Sequence, residues 1–330
     1  MNTLYVSVQG CYLYLQKDLL IVKRGNNIIN KVQLPLLEQI LIFGKSQITT
    51  QAIRVCLWRN IPIVYLSRMG YCYGRAIAIE RGYRQLSRYQ QQLSFSDKLI
   101  TARAIIKTKL INQKVILQRR QKLRGHYDFS QCFNILNYLI DKINYADSIE
   151  KIIGYEGAGA STYFSVFGQC INNPDFIFFA RSRRPPGNPV NAMLSFGYQI
   201  LWNHLLTLIE LQNLDPYYAC LHQDNQRHAT LASDLMEEFR SPLIDSLVLY
   251  VINRNLINGI DDFTYKNGGC YLNNNGRKKF LSSFLQRMEE LVNTGKETKQ
   301  PRWDLLMRQV KRYKEFVYNP IIGYQPYQIR

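Results

Sequence analysis

The sequence is poor in acid: 24 Asp and Glu stand against 42 Lys and Arg among 330 residues, a formal charge of +18. It has only four histidines, and its seven cysteines include no C-x-x-C pair. Cys11, Cys56, Cys72, Cys132, Cys170, Cys220 and Cys270 are odd in number and far apart, in a chain long enough to build its own core. They argue against a disulfide scaffold or a zinc finger and are expected as reduced, mostly buried thiols of a cytoplasmic protein. No window holds the ~18 uninterrupted apolar residues that a spanning helix needs. The N-terminal MNTLYVSVQGCYLYLQKD is polar where a signal peptide is apolar, so a soluble, unexported protein is expected. With 46% hydrophobic residues the chain is not disordered, and its length suits about two domains.

The surplus of positive charge suits a polyanionic partner, because each Lys or Arg that neutralises a phosphate releases condensed counterions. A membrane surface would call for one basic amphipathic helix, whereas here the charge is spread over several segments. The densest run, 81–125, has twelve basic residues and one acid, Asp97. A second runs from Arg302 to Lys314, and Arg181, Arg183 and Arg184 form a third. Three separate clusters favour an extended phosphate backbone over one small anion; the simpler alternative for each is a solvated face.

From residue 3 to about 80 the chain reads as short Val/Ile/Tyr/Leu strands broken by turn residues. These are LYVSV, CYLYLQ, LLIVKR, NIINKVQL, QILIFG, IPIVYL and AIAIE, with one short helix in SQITTQAIRVCLWRN. A small β-sandwich or barrel over 1–84 is expected. The polar stretch 85–94 reads as a linker. Beyond it apolar positions recur at three and four, predicting an almost entirely helical domain over 95–330.

Three segments could carry chemistry. In the first, His222 ends the apolar run YYACLH and precedes Asp234 and Glu237, which lie three apart on a predicted helix and project from nearly the same face. In the second, Glu156 sits among small residues in GYEGAGASTYF; an acid there needs a cation or an ion pair with Arg, because burying an unpaired carboxylate is costly. In the third, RSRRPPGNPVNAMLSFGY places arginines at a loop mouth before a helix that opens at Pro189. Each segment taken singly also fits a structural role: a lone histidine, a buried ion pair, solvated loop charge.

In this order the segments resemble the CRISPR-associated Cas1 family, the spacer-integration endonuclease of the adaptation complex. The resemblance runs essentially end to end: a strand-rich N-terminal domain, the Glu156–Phe164 helix, the RPP-x-x-PVNAxLSFGY block, the LH…LASDLMEEFR block, and GGCYLNNNGRKKFL at 268–281. Departures are Gly159, Asn188, Ala219 and Ser233, none of them a ligand position. The resemblance implies an α+β fold, a β domain followed by a larger all-α catalytic domain, and a homodimer in antiviral defence. It implies a metal-binding, catalytic triad of Glu156, His222 and Glu237, with Asp234 as an accessory acid and Mg²⁺ or Mn²⁺ as cofactor. Arg181, Arg183, Arg184 and Arg240 are candidates for holding DNA phosphates. The implied partners are double-stranded DNA, as spacer precursor and repeat, and a small ferredoxin-like adaptation protein. Two other readings stay open on the residues themselves: a non-catalytic nucleic-acid scaffold, and a stand-alone nuclease acting on branched repair intermediates.

Overall fold

The computed structural model describes residues 3–68, 72–79, 84–124, 127–222, 228–293 and 299–329. The chain folds as two compact units, 1–81 and 82–330.

The first unit is built on two four-stranded sheets. Its elements are β1 (Thr3–Val6), β2 (Tyr12–Gln16), β3 (Leu19–Arg24), β4 (Asn27–Gln33), β5 (Gln39–Phe43), β6 (Gln47–Ile48), α1 (Thr50–Trp58), β7 (Ile63–Leu66) and β8 (Cys72–Ala76). One sheet runs β1-β5-β7-β8 and the other β4-β3-β2-β6. Alternating side chains such as Leu4 and Val6, Leu20 and Val22, Ile40 and Ile42 come together in one buried cluster. Fully burying each contributes about 1.5–3 kcal/mol. β1, β5 and β7 pair in parallel, so β5 and β7 need a crossover, and α1 supplies it. Thr49 caps that helix by accepting the amide of Ala52 at 3.3 Å. The strand expected in AIAIE instead lies earlier, over Cys72–Ala76. It pairs antiparallel with β7, and residues 77–79 continue without strand structure.

The second unit is mainly helical: α2 (Arg84–Gln92), α3 (Phe95–Arg124), α4 (Ser130–Ile143), α5 (Ile149–Phe167), α6 (Pro189–Leu211), α7 (Thr230–Glu237), α8 (Ser246–Asn253), α9 (Asn274–Glu289) and α10 (Arg302–Tyr318). The stretch 85–94, expected as a linker, is largely α2. It is held because Gln90 is buried and clamps the chain near Asp215: its Nε2 donates to the Asp215 carbonyl at 3.0 Å and its Oε1 accepts the Asp215 amide at 2.8 Å. The unit also carries two hairpins absent from the helical reading, β9 (Phe263–Lys266) with β10 (Gly269–Leu272), and β11 (Leu291–Asn293) with β12 (Lys299–Pro301). Asn267 and Gly268, both at positive φ, make the two-residue turn that joins β9 to β10.

α6 is the central rod, buried on nearly every face. Asn188 caps its start by accepting the Asn191 amide at 2.9 Å, with Pro189 in the first turn. Its His204 is fully buried, with its ring 4.8 Å from that of Trp303. Burial pushes the imidazole down to about 3. An unfolded histidine titrates near 6.5, so between these values the unfolded chain binds the extra proton and stability falls as pH drops. The loss from this one ring approaches roughly 5 kcal/mol at the acid end. Urea titrations of the wild type and of His204→Phe at neutral and acid pH should show a shallower pH slope in the variant; equal slopes would remove His204 as the source.

All seven cysteines are free, six of them buried. No helix among the described residues is long and apolar enough to cross a membrane.

Candidate active site

The centre of the helical unit is set by how closely α5 approaches α3. A Cβ at Gly159 would fall 2.4 Å from Leu110 Cδ2, so only glycine lets the two helices meet at this spacing without displacing Leu110. Gly154 and Gly157 face open space, so of these three glycines only Gly159 is set by packing. One turn back from Gly159 is Glu156, and one residue back from Leu110 is Lys109. The close approach therefore brings Glu156 Oε1 against Lys109 Nζ.

Lys109 is buried, and the same ammonium lies 2.6 Å from Oε2 of Glu237, which is also buried, at the end of α7. That ammonium is the partner of Glu237 Oε2. Glu237 Oε1 pairs with Arg240 Nη2 at 3.1 Å. Burial opposes a charge on Glu237, yet Arg240 and Lys109 hold its carboxyl well below the usual range. Two carboxylates from different helices thus face one cation. Lys109 was not among the residues singled out from the sequence. The signal was there, since it falls on the core face of α3 with Ala102, Ile105, Asn112 and Ile116, where a lysine needs acids around it.

Asp234 turns to a different task. Its fully buried carboxylate accepts the amides of Cys220 and Leu221 through Oδ2, each at 2.8 Å, and the amide of His222 through Oδ1 at 3.0 Å. Oδ1 also lies 2.7 Å from Nδ1 of the His222 ring. A carboxylate there sets the Nδ1–H tautomer, which turns Nε2 into the ring's lone-pair nitrogen. Burial disfavours charge on His222, but the hydrogen bond and charge of Asp234, with the charge of Glu237 beyond, hold its pKa above the ordinary imidazole value. So Asp234 and Glu237 do not converge on one point: one fixes the His222 loop and the other faces Lys109. Among the described residues no three His, Cys, Asp or Glu side chains are gathered to hold a metal ion.

The arginine candidates divide. Arg240 opens a π-helical turn over Arg240–Asp245, and its guanidinium lies 4.8 Å from the Tyr198 ring centre while it pairs with Glu237. Arg181 donates to Asn191 Oδ1 at 2.9 Å and Ser195 Oγ at 3.0 Å, and lies over the same ring. Both serve internal partners. Arg183 and Arg184 are exposed. Of the remaining histidines, His228 Nε2 lies 2.9 Å from Ser233 Oγ and its ring stacks on Trp202. His126 lies outside the described residues.

Glu238, next to the site, points the other way. It accepts the Tyr327 amide, the Tyr324 hydroxyl, and Gln309 Nε2 at 3.0 Å, tying the C-terminal segment to α7.

By donor type, two carboxylates and an imidazole suit a hard divalent cation: the carboxylates already share one positive charge, and a buried acid orients the imidazole.

Fold and site together define a basic α+β protein in two units, with an acid–cation centre inside the helical one. Residues 4–286 match the CRISPR associated protein Cas1 family, and the chain belongs to it. It is 34% identical over 300 residues to a CRISPR-associated exonuclease Cas4/endonuclease Cas1 fusion of Geobacter sulfurreducens, covering 88% of this chain and 53% of the fusion. It therefore spans about half the length of that relative. It is 32% identical over 302 residues to the CRISPR-associated endonuclease Cas1 2 of Rhodospirillum rubrum, covering 88% of this chain and 87% of that one. The fold is shared with a chain of a Cas6-RT-Cas1–Cas2 complex, at a TM-score of 0.83 and 23% identity over 100% of this chain and 36% of that chain.

Proposed function

We propose that this protein is a metal-dependent DNA integrase and endonuclease that inserts spacers into a CRISPR array. A DNA 3′-hydroxyl attacks a repeat phosphodiester in line, a new P–O bond forms, and another 3′-oxygen leaves with the proton balance restored by solvent. The observation that carries the reading is the pair Glu156 and Glu237 facing one buried cation beside an Asp-oriented imidazole. Glu156, Glu237 and His222 Nε2 would hold Mg²⁺ or Mn²⁺, which when bound supplies neutralisation of charge on the phosphate oxygens and acidifies the attacking hydroxyl. Asp234 accepts the Nδ1 proton of His222, which leaves Nε2 as the lone-pair nitrogen of the neutral ring, while Arg240 holds Glu237 ionised. Arg183 and Arg184 grip phosphates of the duplex. Membership of the Cas1 family, the endonuclease names of the relatives, and a neighbour that assembles with Cas2 support this reading and the proposed partners: DNA, a second copy of the chain and a Cas2-type protein.

Metal removal tests it directly. Protein stripped with a chelator should join no labelled 3′-end to repeat DNA, and added Mn²⁺ should restore joining while Ca²⁺ should not. Joining that proceeds in excess chelator would end the metal-dependent reading.

A further inference from the structure

Residues 323–329 form neither helix nor strand, yet three fully buried polar side chains from separate elements hold this segment: Asn112 of α3, Glu238 just past α7 and Gln309 of α10. Asn112 bonds only to backbone. Its Nδ2 donates to the carbonyls of Glu238 and Tyr327, each at 2.9 Å, and its Oδ1 accepts the Ile329 amide at 3.0 Å. The Glu238 carboxylate accepts the Tyr327 amide and the Tyr324 hydroxyl. Gln309 Nε2 donates to that carboxylate and to the Gln325 carbonyl, each at 3.0 Å. The Tyr327 ring lies over that of Phe239, with centroids 5.4 Å apart and planes 18° from parallel. Tyr327 is thus gripped by amide, carbonyl and ring. Burying such polar groups is costly unless each finds its partner, so a network of this kind admits one arrangement of the pieces it joins.

The fastenings sit beside the acid centre. Asn112 lies one helical turn after Lys109, and Glu238 follows Glu237 directly. The bond from Asn112 to the Glu238 carbonyl therefore ties α3 to α7 one step from the point where Lys109 meets Glu237. Glu156 arrives separately, on α5, whose distance from α3 is set at Gly159 and Leu110. A shift of α7 against α3 would thus move Glu237 and leave Glu156 in place.

We infer that Asn112 and Glu238 are positioning residues of the integration reaction: with residues 324–329 seated, they hold α3 and α7 at the spacing at which Glu156 and Glu237 serve one cation. The inference rests on the metal-dependent reading given above and adds the part of the fold that sets its geometry. Such a constellation must be held within about 0.5 Å, and a misplacement of roughly 1 Å costs a reaction about 100-fold. Neither residue needs to touch metal or DNA to have this effect.

The test compares the full chain with Asn112→Ala, Tyr324→Phe and the double variant. Asn112→Ala should weaken Mn²⁺ binding about tenfold by calorimetry and lower kcat for joining about 10- to 100-fold at saturating Mn²⁺, with KM for repeat DNA unchanged. By hydrogen exchange, the Tyr327 and Ile329 amides should be protected in the wild type and lose protection together in this variant. Tyr324→Phe takes one donor from Glu238 and should weaken Mn²⁺ binding about threefold; it serves if the alanine variant does not fold. Both changes act through one segment, so the double variant should fall short of the product of the two effects. Folded variants that melt earlier but keep the wild-type Mn²⁺ affinity and kcat would overturn the inference and leave the integrase reading standing. A wild type that neither binds Mn²⁺ nor joins DNA would overturn the metal-dependent reading, and the inference with it.

Discussion

Glu156→Ala, and separately His222→Ala, should lower strand transfer about 1,000-fold while DNA binding survives. Glu156 is the acid that α5 brings to Lys109, and its side chain is 23% exposed, so its loss opens no large cavity. Lys109 keeps Glu237 as a partner, so the fold retains its buried pair. Replacing the acid raises the positive surplus by one, and the phosphate-binding tracks are untouched. The His222 ring is likewise part-exposed, and the three amides bound by Asp234 belong to the backbone, which alanine preserves. Gel shifts on repeat DNA should therefore match the wild type when joining is absent. A scaffold whose acids only balance buried cations predicts the opposite, with Mn²⁺-dependent joining unchanged in a folded variant.

Much of the fold could be read from the sequence because its signals are local. Alternating apolar residues in LLIVKR and QILIFG name strands without knowledge of their neighbours, and Asn188-Pro189 marks the start of α6 by capping chemistry alone. The linker failed for a reason of the same kind inverted. Nothing within QLSRYQQQLS shows that Gln90 will close two hydrogen bonds with Asp215, more than a hundred residues away. The hairpin at Asn267-Gly268 was legible as an Asn-Gly turn, but its flanking strands are only four residues each and gave no sustained alternation.

The candidate site was legible by residue type and not by partner. Asp234 and Glu237 share one turn of helix, so spacing alone sends them to one task; in the folded chain the 220–222 amides claim one and Lys109 the other. Which acid meets which donor depends on contacts between α3, α5 and α7, and periodicity carries no information about those. Gly159 shows the limit. Its place in a run of small residues is visible in the sequence, yet only the position of Leu110 says what an added methyl would meet. The positive clusters behave the same way. Arg181 and Arg240, expected at a phosphate, are drawn inward by Asn191, Ser195, Tyr198 and Glu237, whereas α10 arginines with no assigned role line a cavity.

Lys109→Met should produce the largest change in the metal-free protein. Methionine keeps the length and apolar stem of the side chain but removes the charge that Glu156 and Glu237 share. Glu237 then keeps only Arg240, and the two carboxylates face each other with no cation between them. Removing one partner of a buried ion pair costs about 3–5 kcal/mol, which for a unit of this size lowers the melting temperature by roughly 10 °C. Divalent metal should reverse the loss. In the wild type an entering cation competes with an ammonium for the same oxygens, whereas in the variant it meets two uncompensated acids. Mn²⁺ should therefore bind Lys109→Met more tightly by calorimetry and raise its melting temperature further than that of the wild type, as binding to the native state alone requires. Joining need not be measured to read this result. A variant that melts with the wild type and binds Mn²⁺ no better would mean that the ammonium does not occupy the cation's place.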